Sequence, residues 1–150
     1  MKTIAIGCDP NAASLKETLK KLVKELGYEC EDYGSEDTVY ANVAFKVAEA
    51  VAAGKHERGI LICGTGIGMS IAANKVPGAY AALVSDAYSA ERAAKSNNAN
   101  IITLGAFTVG VELAKVLVKV YLQSQWTPGT PSEPKVQRYV DYDRARGKPS

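Results

Sequence analysis

The chain has 150 residues, the usual size of one domain, and its hydrophobic fraction of 47% and charged fraction of 23% are ordinary for a globular protein. The formal net charge of +2 is far from the basic excess of nucleic-acid binders, and no apolar run approaches the roughly 18 residues of a membrane span. Three cysteines without paired spacing argue against a disulfide framework and a zinc site. We therefore expect one cytoplasmic domain over residues 1–150, with free thiols, no metal, and neither nucleic acid nor membrane as partner.

Short β-rich runs alternate with helical stretches along the chain. Strands are predicted at residues 3–7, 28–33, 59–63, 80–84 and 101–105. Apolar residues at helical spacing predict helices at residues 14–26, 42–53, 68–74, 87–95 and 108–124. In the first helix, Ser14 is predicted to be the N-cap, with Glu17 completing a capping box. The lysines of this helix, at positions 16, 20, 21 and 24, are expected on a solvated face.

Strands separated by helices of this length imply parallel strands with right-handed crossovers. The runs at 59–63 and 81–84 are almost continuously apolar, which suits strands buried on both faces. The prediction is an α/β fold, a Rossmann-like doubly wound sheet of five parallel strands. Residues 126–150 are expected to form an irregular tail with a short basic helix at 135–146. That helix is predicted to dock on a neighbouring surface, and a frayed terminus is the alternative.

Ligands of open α/β sheets bind beyond the carboxyl ends of the strands, and this chain carries small and polar residues there. The first strand runs into residues 7–11, the third into residues 63–68, and the fourth into Ser85-Asp86. Residues 96–100 lie just before the fifth strand. All four segments are expected to converge on one cleft.

The segment Cys63-Gly64-Thr65-Gly66-Ile67-Gly68 has the most specific pattern. Its three glycines let the backbone approach a ligand closely, and it opens a helix whose free N–H groups favour an anion such as a phosphate or an enediolate oxygen. The same field would stabilise a thiolate at Cys63, a competent base or nucleophile. The dinucleotide pattern Gly-x-Gly-x-x-Gly is not met. A buried, inert thiol is the alternative interpretation of Cys63.

Five other side chains are interpreted individually. Asp9 is well placed to bind sugar hydroxyls, and a helix cap or turn residue is its alternative role. Tyr40 precedes a helix and is either a pocket wall or a core residue. Cys8 and Cys30 lie in or beside strands and are interpreted as structural. His56, the only histidine, lies in a polar turn and is expected to be exposed and non-catalytic.

Taken together, these segments resemble the type B ribose-5-phosphate isomerases and the related galactose-6-phosphate isomerase subunits. The resemblance rests, in the family's order and spacing, on residues 6–9, 59–68, 72–78, 89–90, 97–100 and 104–105. It implies a Rossmann-like fold without metal or organic cofactor. It also implies a phosphorylated sugar substrate and a homodimer or dimer of dimers with active sites at the interface, where the C-terminal extension packs on a partner subunit.

The resemblance also implies roles for individual residues. The cysteine matching Cys63 is the base that removes a proton next to a carbonyl, and Thr65 beside it aids ring opening or positioning. Asn97 holds the enediolate oxygens together with the loop backbone, at Gly64, Gly66, Ile67 and Gly68. Further substrate contacts are implied for Asp9, Pro10, Asn11, Tyr40, Ser96, Lys135, Arg138 and Tyr139.

This chain departs from the family at three points. Pro10 stands where members usually carry a histidine that assists phosphate binding, and Ser96 stands where many carry the histidine thought to open the cyclic sugar. The tail presents Lys135 and Tyr139, with Arg138 adjacent, where members usually have two arginines. An enzyme without the ring-opening histidine suits a substrate that has no ring to open. Erythrulose 4-phosphate, giving erythrose 4-phosphate, is such a substrate.

The predicted activity is therefore an aldose–ketose isomerisation of a phosphorylated sugar through an enediolate, with tetrose, pentose and hexose substrates left open. One alternative is an isomerase or epimerase of an unphosphorylated or rare sugar. Another is one subunit of a heteromeric galactose-6-phosphate isomerase. Retention of Cys63 and Thr65 argues against a non-catalytic subunit.

Overall fold

A computed structural model describes residues 2–146 of the chain. Its strands are β1 (Thr3–Cys8), β2 (Glu29–Asp32), β3 (Arg58–Cys63), β4 (Ala81–Leu83) and β5 (Ile101–Gly105). Its helices are a 3-10 turn (Pro10–Ala12), α1 (Ala13–Glu25), α2 (Tyr40–Ala52), α3 (Ile67–Ala73), α4 (Ala87–Lys95), α5 (Val111–Gln123) and α6 (Glu133–Arg144). All strands are parallel, in the order β2-β1-β3-β5-β4. The predicted doubly wound α/β fold is confirmed.

Two apolar cores lie on opposite faces of the sheet. The first lies between the sheet and α1, α4 and α5, and the second lies under α2 and α3. On β3, Ile60 and Ile62 belong to the first core, whereas Leu61 and Cys63 belong to the second. Burial on both faces explains the continuous apolar runs of the central strands. None of the helices within residues 2–146 is long and apolar enough to cross a membrane.

The start of α1 differs from the prediction. A 3-10 turn over Pro10–Ala12 leads directly into the helix, whose N-cap is Ala12 and makes no side-chain cap bond. Ser14 already lies inside the helix. The predicted capping box at Ser14 and Glu17 is therefore wrong, because proline favours the first helical turn and starts the helix earlier.

The lysines of α1 are not all on a solvated face. Lys16 is buried, and its Nζ lies 2.9 Å from Asp32, which also accepts a bond from Lys20 at 2.9 Å. Burial alone would raise the pKa of Asp32, but the bonds from both lysines and from the Gly34 N–H outweigh it and lower that pKa to about 2. The solvated-face prediction is thus wrong for Lys16, which ties α1 to β2.

His56 is buried, so its predicted exposure is wrong. Its Nδ1 lies 2.8 Å from the Thr3 hydroxyl, and its Nε2 lies 2.7 Å from the Tyr33 hydroxyl and 3.1 Å from Glu31. The polar turn before β3 folds back over β1 and β2, where these partners lie. This place is at the amino end of the sheet, away from the carboxyl ends of the strands.

The predicted C-terminal helix is present as α6. Asp143 near its end accepts bonds from the Gly78 N–H at 2.8 Å and the Tyr80 hydroxyl at 2.7 Å, and Tyr139 bonds the Asn97 carbonyl. The frayed-terminus alternative is wrong for residues 133–144, because this helix docks on its own chain. Its contact with a partner subunit stays a prediction.

Arg58 joins β3 to the end of α5, and its loss is expected to destabilise the fold. Its guanidinium is buried, donates to the carbonyls of Tyr121 and Ser124, and lies 4.5 Å from the Tyr121 ring centroid. These carbonyls lie at the C-terminal end of a helix, where backbone donors are few, and the Tyr121 carbonyl also accepts from the Ser124 N–H at 3.1 Å. Arg58→Ala should lower the free energy of unfolding by about 3 kcal/mol.

Urea denaturation at matched protein concentration measures this effect. Lys119→Ala, on an exposed position of the same helix, is the control and should shift stability by less than about 0.5 kcal/mol. An Arg58→Ala protein within 1 kcal/mol of wild type would show that α5 does not depend on this guanidinium.

Candidate active site

The carboxyl ends of β1 and β3 form a topological switch point. The chain leaves β1 into α1 on one face of the sheet and leaves β3 into α3 on the other face. Two adjacent strands with such connections open a crevice between them, the usual ligand site of this fold class. Asp9 follows β1, and its N–H donates to the Ile62 carbonyl of β3 at 3.2 Å. Asp9 and Cys63 therefore flank the same crevice.

Cys63 ends β3 with only 5% of its surface exposed. Its Sγ accepts a hydrogen bond from the Gly66 N–H at 3.2 Å, and its carbonyl accepts one from the Ala106 N–H at 2.8 Å. Burial is also the usual state of an inert thiol. The additional feature here is the loop amide that faces the sulfur and fixes its position at the crevice.

The other two cysteines lack such a loop. Burial raises the pKa of the Cys8 thiol to about 11 and that of the Cys30 thiol to about 11. Both thiols therefore stay protonated at neutral pH. This agrees with their interpretation as structural residues.

Besides the bond from the Gly66 N–H to Cys63 Sγ, three hydrogen bonds hold the loop after Cys63 in one conformation. Thr65 Oγ1 accepts from the Ile67 N–H at 3.2 Å, and Gly66 is the N-cap of α3. The Gly64 carbonyl accepts from the Phe107 N–H at 2.9 Å, and the Thr103 hydroxyl donates to the Gly66 carbonyl at 2.9 Å. The first N–H groups of a helix have no partner within it. Those of Gly66 and Ile67 are bonded, which leaves Gly68 and Met69 without an intrahelical acceptor.

Two loop glycines are required by their surroundings. Gly66 has φ +79°, and a Cβ there would lie 2.7 Å from the Leu83 side chain and 2.9 Å from the Leu104 carbonyl carbon. A Cβ on Gly68 would lie 2.3 Å from the ring of Tyr40. Tyr40, the partly exposed first residue of α2, thus lies directly against the loop. Of the two roles left open for Tyr40, the pocket wall fits this position.

Asp9 has an unsatisfied carboxylate oxygen at the crevice. The residue is 8% exposed, and its buried Oδ1 has no hydrogen-bond partner within the described residues. Oδ2 accepts from Asn11 Nδ2 at 3.3 Å, and the side chain makes no helix-cap bond. Asp9 thus occupies the N-cap position of the 3-10 turn, where its carbonyl accepts from the Ala12 N–H at 3.2 Å, but its carboxylate does not cap the turn. A buried carboxylate oxygen without a donor is costly, so it suits a ligand hydroxyl.

Ser96 and Asn97 do not share this crevice within one chain. They precede β5, and the register pairs Gly59 with Ile101 and Cys63 with Gly105. Asn97 therefore lies at the amino end of the sheet, at least about 13 Å from Cys63 along the strand direction. The expected convergence of all four polar segments on one cleft is wrong for a single chain.

Of the residues predicted in the tail, Tyr139 contacts this amino-end group. The Tyr139 hydroxyl donates to the Asn97 carbonyl, while Lys135 is exposed and Arg138 lies 5.9 Å from the Tyr142 ring centroid. Asp86, which follows β4, is the N-cap of α4, and its carboxylate accepts a hydrogen bond from the Ser89 N–H at 2.7 Å.

Thr103 bonds the loop from β5 and was not predicted as a site residue from the sequence. It is the one polar residue of the otherwise apolar strand β5 and is fully buried. A lone hydroxyl in such a strand is the pattern that could have revealed it, since buried hydroxyls need a partner. Among residues 2–146, no three His, Cys, Asp or Glu side chains are grouped so that they could hold a metal ion.

Comparison with known proteins places the chain among sugar-phosphate isomerases in sequence and in fold. The D-erythrulose-4-phosphate isomerase of Pectobacterium atrosepticum is 46% identical over 147 residues, which cover 95% of this chain and 96% of the relative. The ribose-5-P isomerase B of Listeria innocua is 47% identical over 144 residues, covering 94% and 97%. The structure of Trypanosoma cruzi type B ribose 5-phosphate isomerase superposes with a TM-score of 0.91 at 36% identity, covering 97% of this chain and 98% of that chain.

The family described as Ribose/Galactose Isomerase matches residues 4–139. This range includes the crevice residues Asp9 and Cys63 and, at the amino end of the sheet, Asn97. The match to this family covers most of the chain, and the alignments to the two relatives cover nearly all of it. The chain therefore belongs to the Ribose/Galactose Isomerase family.

Proposed function

We propose that the chain is an aldose–ketose isomerase of a phosphorylated sugar, with D-erythrulose 4-phosphate as its preferred substrate. The observation that carries the proposal is the pair at the switch point, Cys63 facing a loop amide and Asp9 with a free carboxylate oxygen. Relatives named for erythrulose 4-phosphate and for ribose 5-phosphate both support a sugar-phosphate isomerase. The tetrose is favoured because Pro10 and Ser96 replace the family's usual histidines.

The reaction moves one proton between adjacent carbons. Cys63, as thiolate, takes a proton from carbon 1 of the ketose, next to the carbonyl at carbon 2. The electron pair forms a carbon–carbon double bond, and negative charge develops on the oxygen of carbon 2. The Cys63 thiol then returns the proton to carbon 2, while a proton passes from the oxygen of carbon 1 to that of carbon 2. The product is the aldose, and Cys63 is again a thiolate.

The remaining residues stabilise charge and orient the substrate. Amides at the start of α3, including those of Gly68 and Met69, for which residues 2–146 supply no acceptor, suit the enediolate oxygens. Asp9 suits a substrate hydroxyl, and Tyr40 closes one wall. The Thr65 hydroxyl, which already accepts from the Ile67 N–H, has its proton free for an oxygen of the substrate.

Asn97 joins this site only from a second copy of the chain. Its distance from Cys63 within one chain argues against a shared substrate contact there, whereas a symmetric dimer in which the amino end of one copy faces the crevice of the other would bring the two residues together. Large apolar side chains around the loop, at Ile67, Ile71 and Phe107, are exposed in the single chain. Such surfaces mark protein interfaces. They support a homodimer with two composite sites.

Parallel assays on D-erythrulose 4-phosphate and ribose 5-phosphate test the substrate. Because the tetrulose has its terminal oxygen esterified and no five-membered ring to open, we expect its kcat/KM to be at least about tenfold higher. A preference for the pentose would overturn the tetrose assignment. Absence of turnover on both sugars would overturn the isomerase proposal itself.

A further inference from the structure

A cavity of about 360 Å³ lies beside Ser96 and does not include Tyr139 in its lining. It forms where the end of α4 meets the irregular segment that precedes α6. Its polar lining consists of two cations and several hydroxyls, from Arg92, Lys95, Ser96, Thr127, Thr130 and Ser132. No carboxylate lines it. Its chemistry therefore suits an anion.

Two polar atoms of this cavity are buried without a partner among the described residues. They are Arg92 Nε and Thr130 Oγ1. The other guanidinium nitrogens of Arg92 are engaged, Nη1 with the Ser96 hydroxyl at 3.0 Å and Nη2 with Glu91 at 3.1 Å. A buried cationic N–H without an acceptor is costly. A ligand with several acceptor oxygens would remove this cost.

The local charges also favour an anion. Glu91 lies 3.1 Å from Arg92 and 3.4 Å from Lys95, so one carboxylate faces two cations and the group carries a net positive charge. The carbonyls at the C-terminal end of α4 carry partial negative charge and act in the opposite direction, because they repel an anion. The carbonyl of Arg92 in that last turn already accepts from the Ser96 N–H at 3.0 Å and from the Asn97 side chain at 2.9 Å.

We propose that this cavity binds the phosphate group of the sugar substrate, with Arg92 as its principal ligand. This inference rests on the proposed function, because Ser96 in the cavity wall adjoins Asn97, which the proposed site uses. A phosphate monoester carries up to two negative charges, and the guanidinium edge matches its oxygens. The assignment differs from the one expected from sequence, since Lys135 and Arg138 do not line this cavity.

Kinetics of Arg92→Gln test the proposal, with D-erythrulose 4-phosphate as substrate and inorganic phosphate as competing anion. We expect KM to rise about 10- to 100-fold, and the inhibition constant of phosphate to rise by a similar factor, while kcat changes less. Thr130→Val, close in shape to threonine, should raise both constants by a smaller factor. Lys21→Gln, an exposed charge change on α1, should leave both unchanged, and thermal unfolding checks that each variant is folded.

The outcomes separate the phosphate site from the isomerase proposal. If Arg92→Gln keeps its KM while Cys63→Ala is inactive, the cavity does not hold the substrate phosphate, and the isomerase proposal stands. If inorganic phosphate stabilises the wild type through Arg92 but KM is unchanged in the variant, the anion site is separate from the substrate, which also overturns the assignment. If the wild type turns over neither sugar phosphate, the proposed function fails, and phosphate binding that depends on Arg92 still supports an anion site.

Discussion

Replacing Cys63 by serine is expected to lower kcat on D-erythrulose 4-phosphate by at least about 1,000-fold. The hydroxyl is nearly the same size as the thiol and keeps the position opposite the Gly66 N–H, 3.2 Å from the sulfur in the wild type. It is a far weaker acid, however, so almost none of it is ionised at neutral pH. The substitution therefore removes the base and leaves the pocket in place, and KM should change little.

Exchange of solvent deuterium provides a second readout for the same variant. In heavy water, the wild-type protein should incorporate deuterium at the carbon that gains the proton, because the Cys63 thiol exchanges its proton with solvent while the enediolate is bound. Cys30→Ser is the matched control, since Cys30 lies in β2 outside the crevice, and it should keep activity within about threefold. A Cys63→Ser protein within tenfold of wild type would mean that the thiol is an inert core residue.

The parts of the fold that were predictable are those set by local patterns. β3 was predicted at 59–63 and observed at Arg58–Cys63, because an apolar run of this length suits only a fully covered strand. α5 was predicted from residue 108 but begins at Val111. The N–H groups of Thr108 and Val109 both bond the Gly105 carbonyl, and this turn ends the strand before the helix starts.

Two of the wrong predictions involve partners distant in sequence. Lys16 looks like a surface lysine of α1 because its periodicity is compatible with exposure, yet Asp32 of the neighbouring strand holds it in the interior. His56 looks exposed because its neighbours in sequence are charged, yet Thr3 and Tyr33 enclose it. Contacts of this kind depend on strand order, which local composition does not determine.

The candidate site was predicted in its parts but not in its arrangement. The loop at Cys63 and the carboxylate of Asp9 were placed together correctly, because both follow strands. Asn97 precedes a strand, and in a parallel sheet this alone puts it at the opposite end from Cys63. If Asn97 and Cys63 contact the same substrate, as the family resemblance implies, their separation within one chain requires that two chains contribute to each site.

Mixing two inactive variants is therefore expected to restore activity. Cys63→Ala removes the base, and Asn97→Ala should cost about 100-fold or more if its amide stabilises the enediolate. In a dimer that contains one chain of each kind, one site has both defects, whereas the other combines an intact Cys63 with an intact Asn97. Random pairing of equal amounts makes half of the dimers mixed, and each mixed dimer has one active site out of two. Activity should therefore return to about one quarter of the wild-type value.

The mixture is prepared by refolding the two proteins together, and the rate on D-erythrulose 4-phosphate is compared with that of each variant refolded alone. The control combines Cys63→Ala with a protein that carries both substitutions. It makes the same mixed dimers, but no intact Cys63 is present, so it should stay inactive. Activity that remains at the level of the separate variants, in dimers shown to be mixed, would place Asn97 outside the site that contains Cys63. A recovery near one quarter requires that each crevice between β1 and β3 is completed by the amino end of β5 from the other chain.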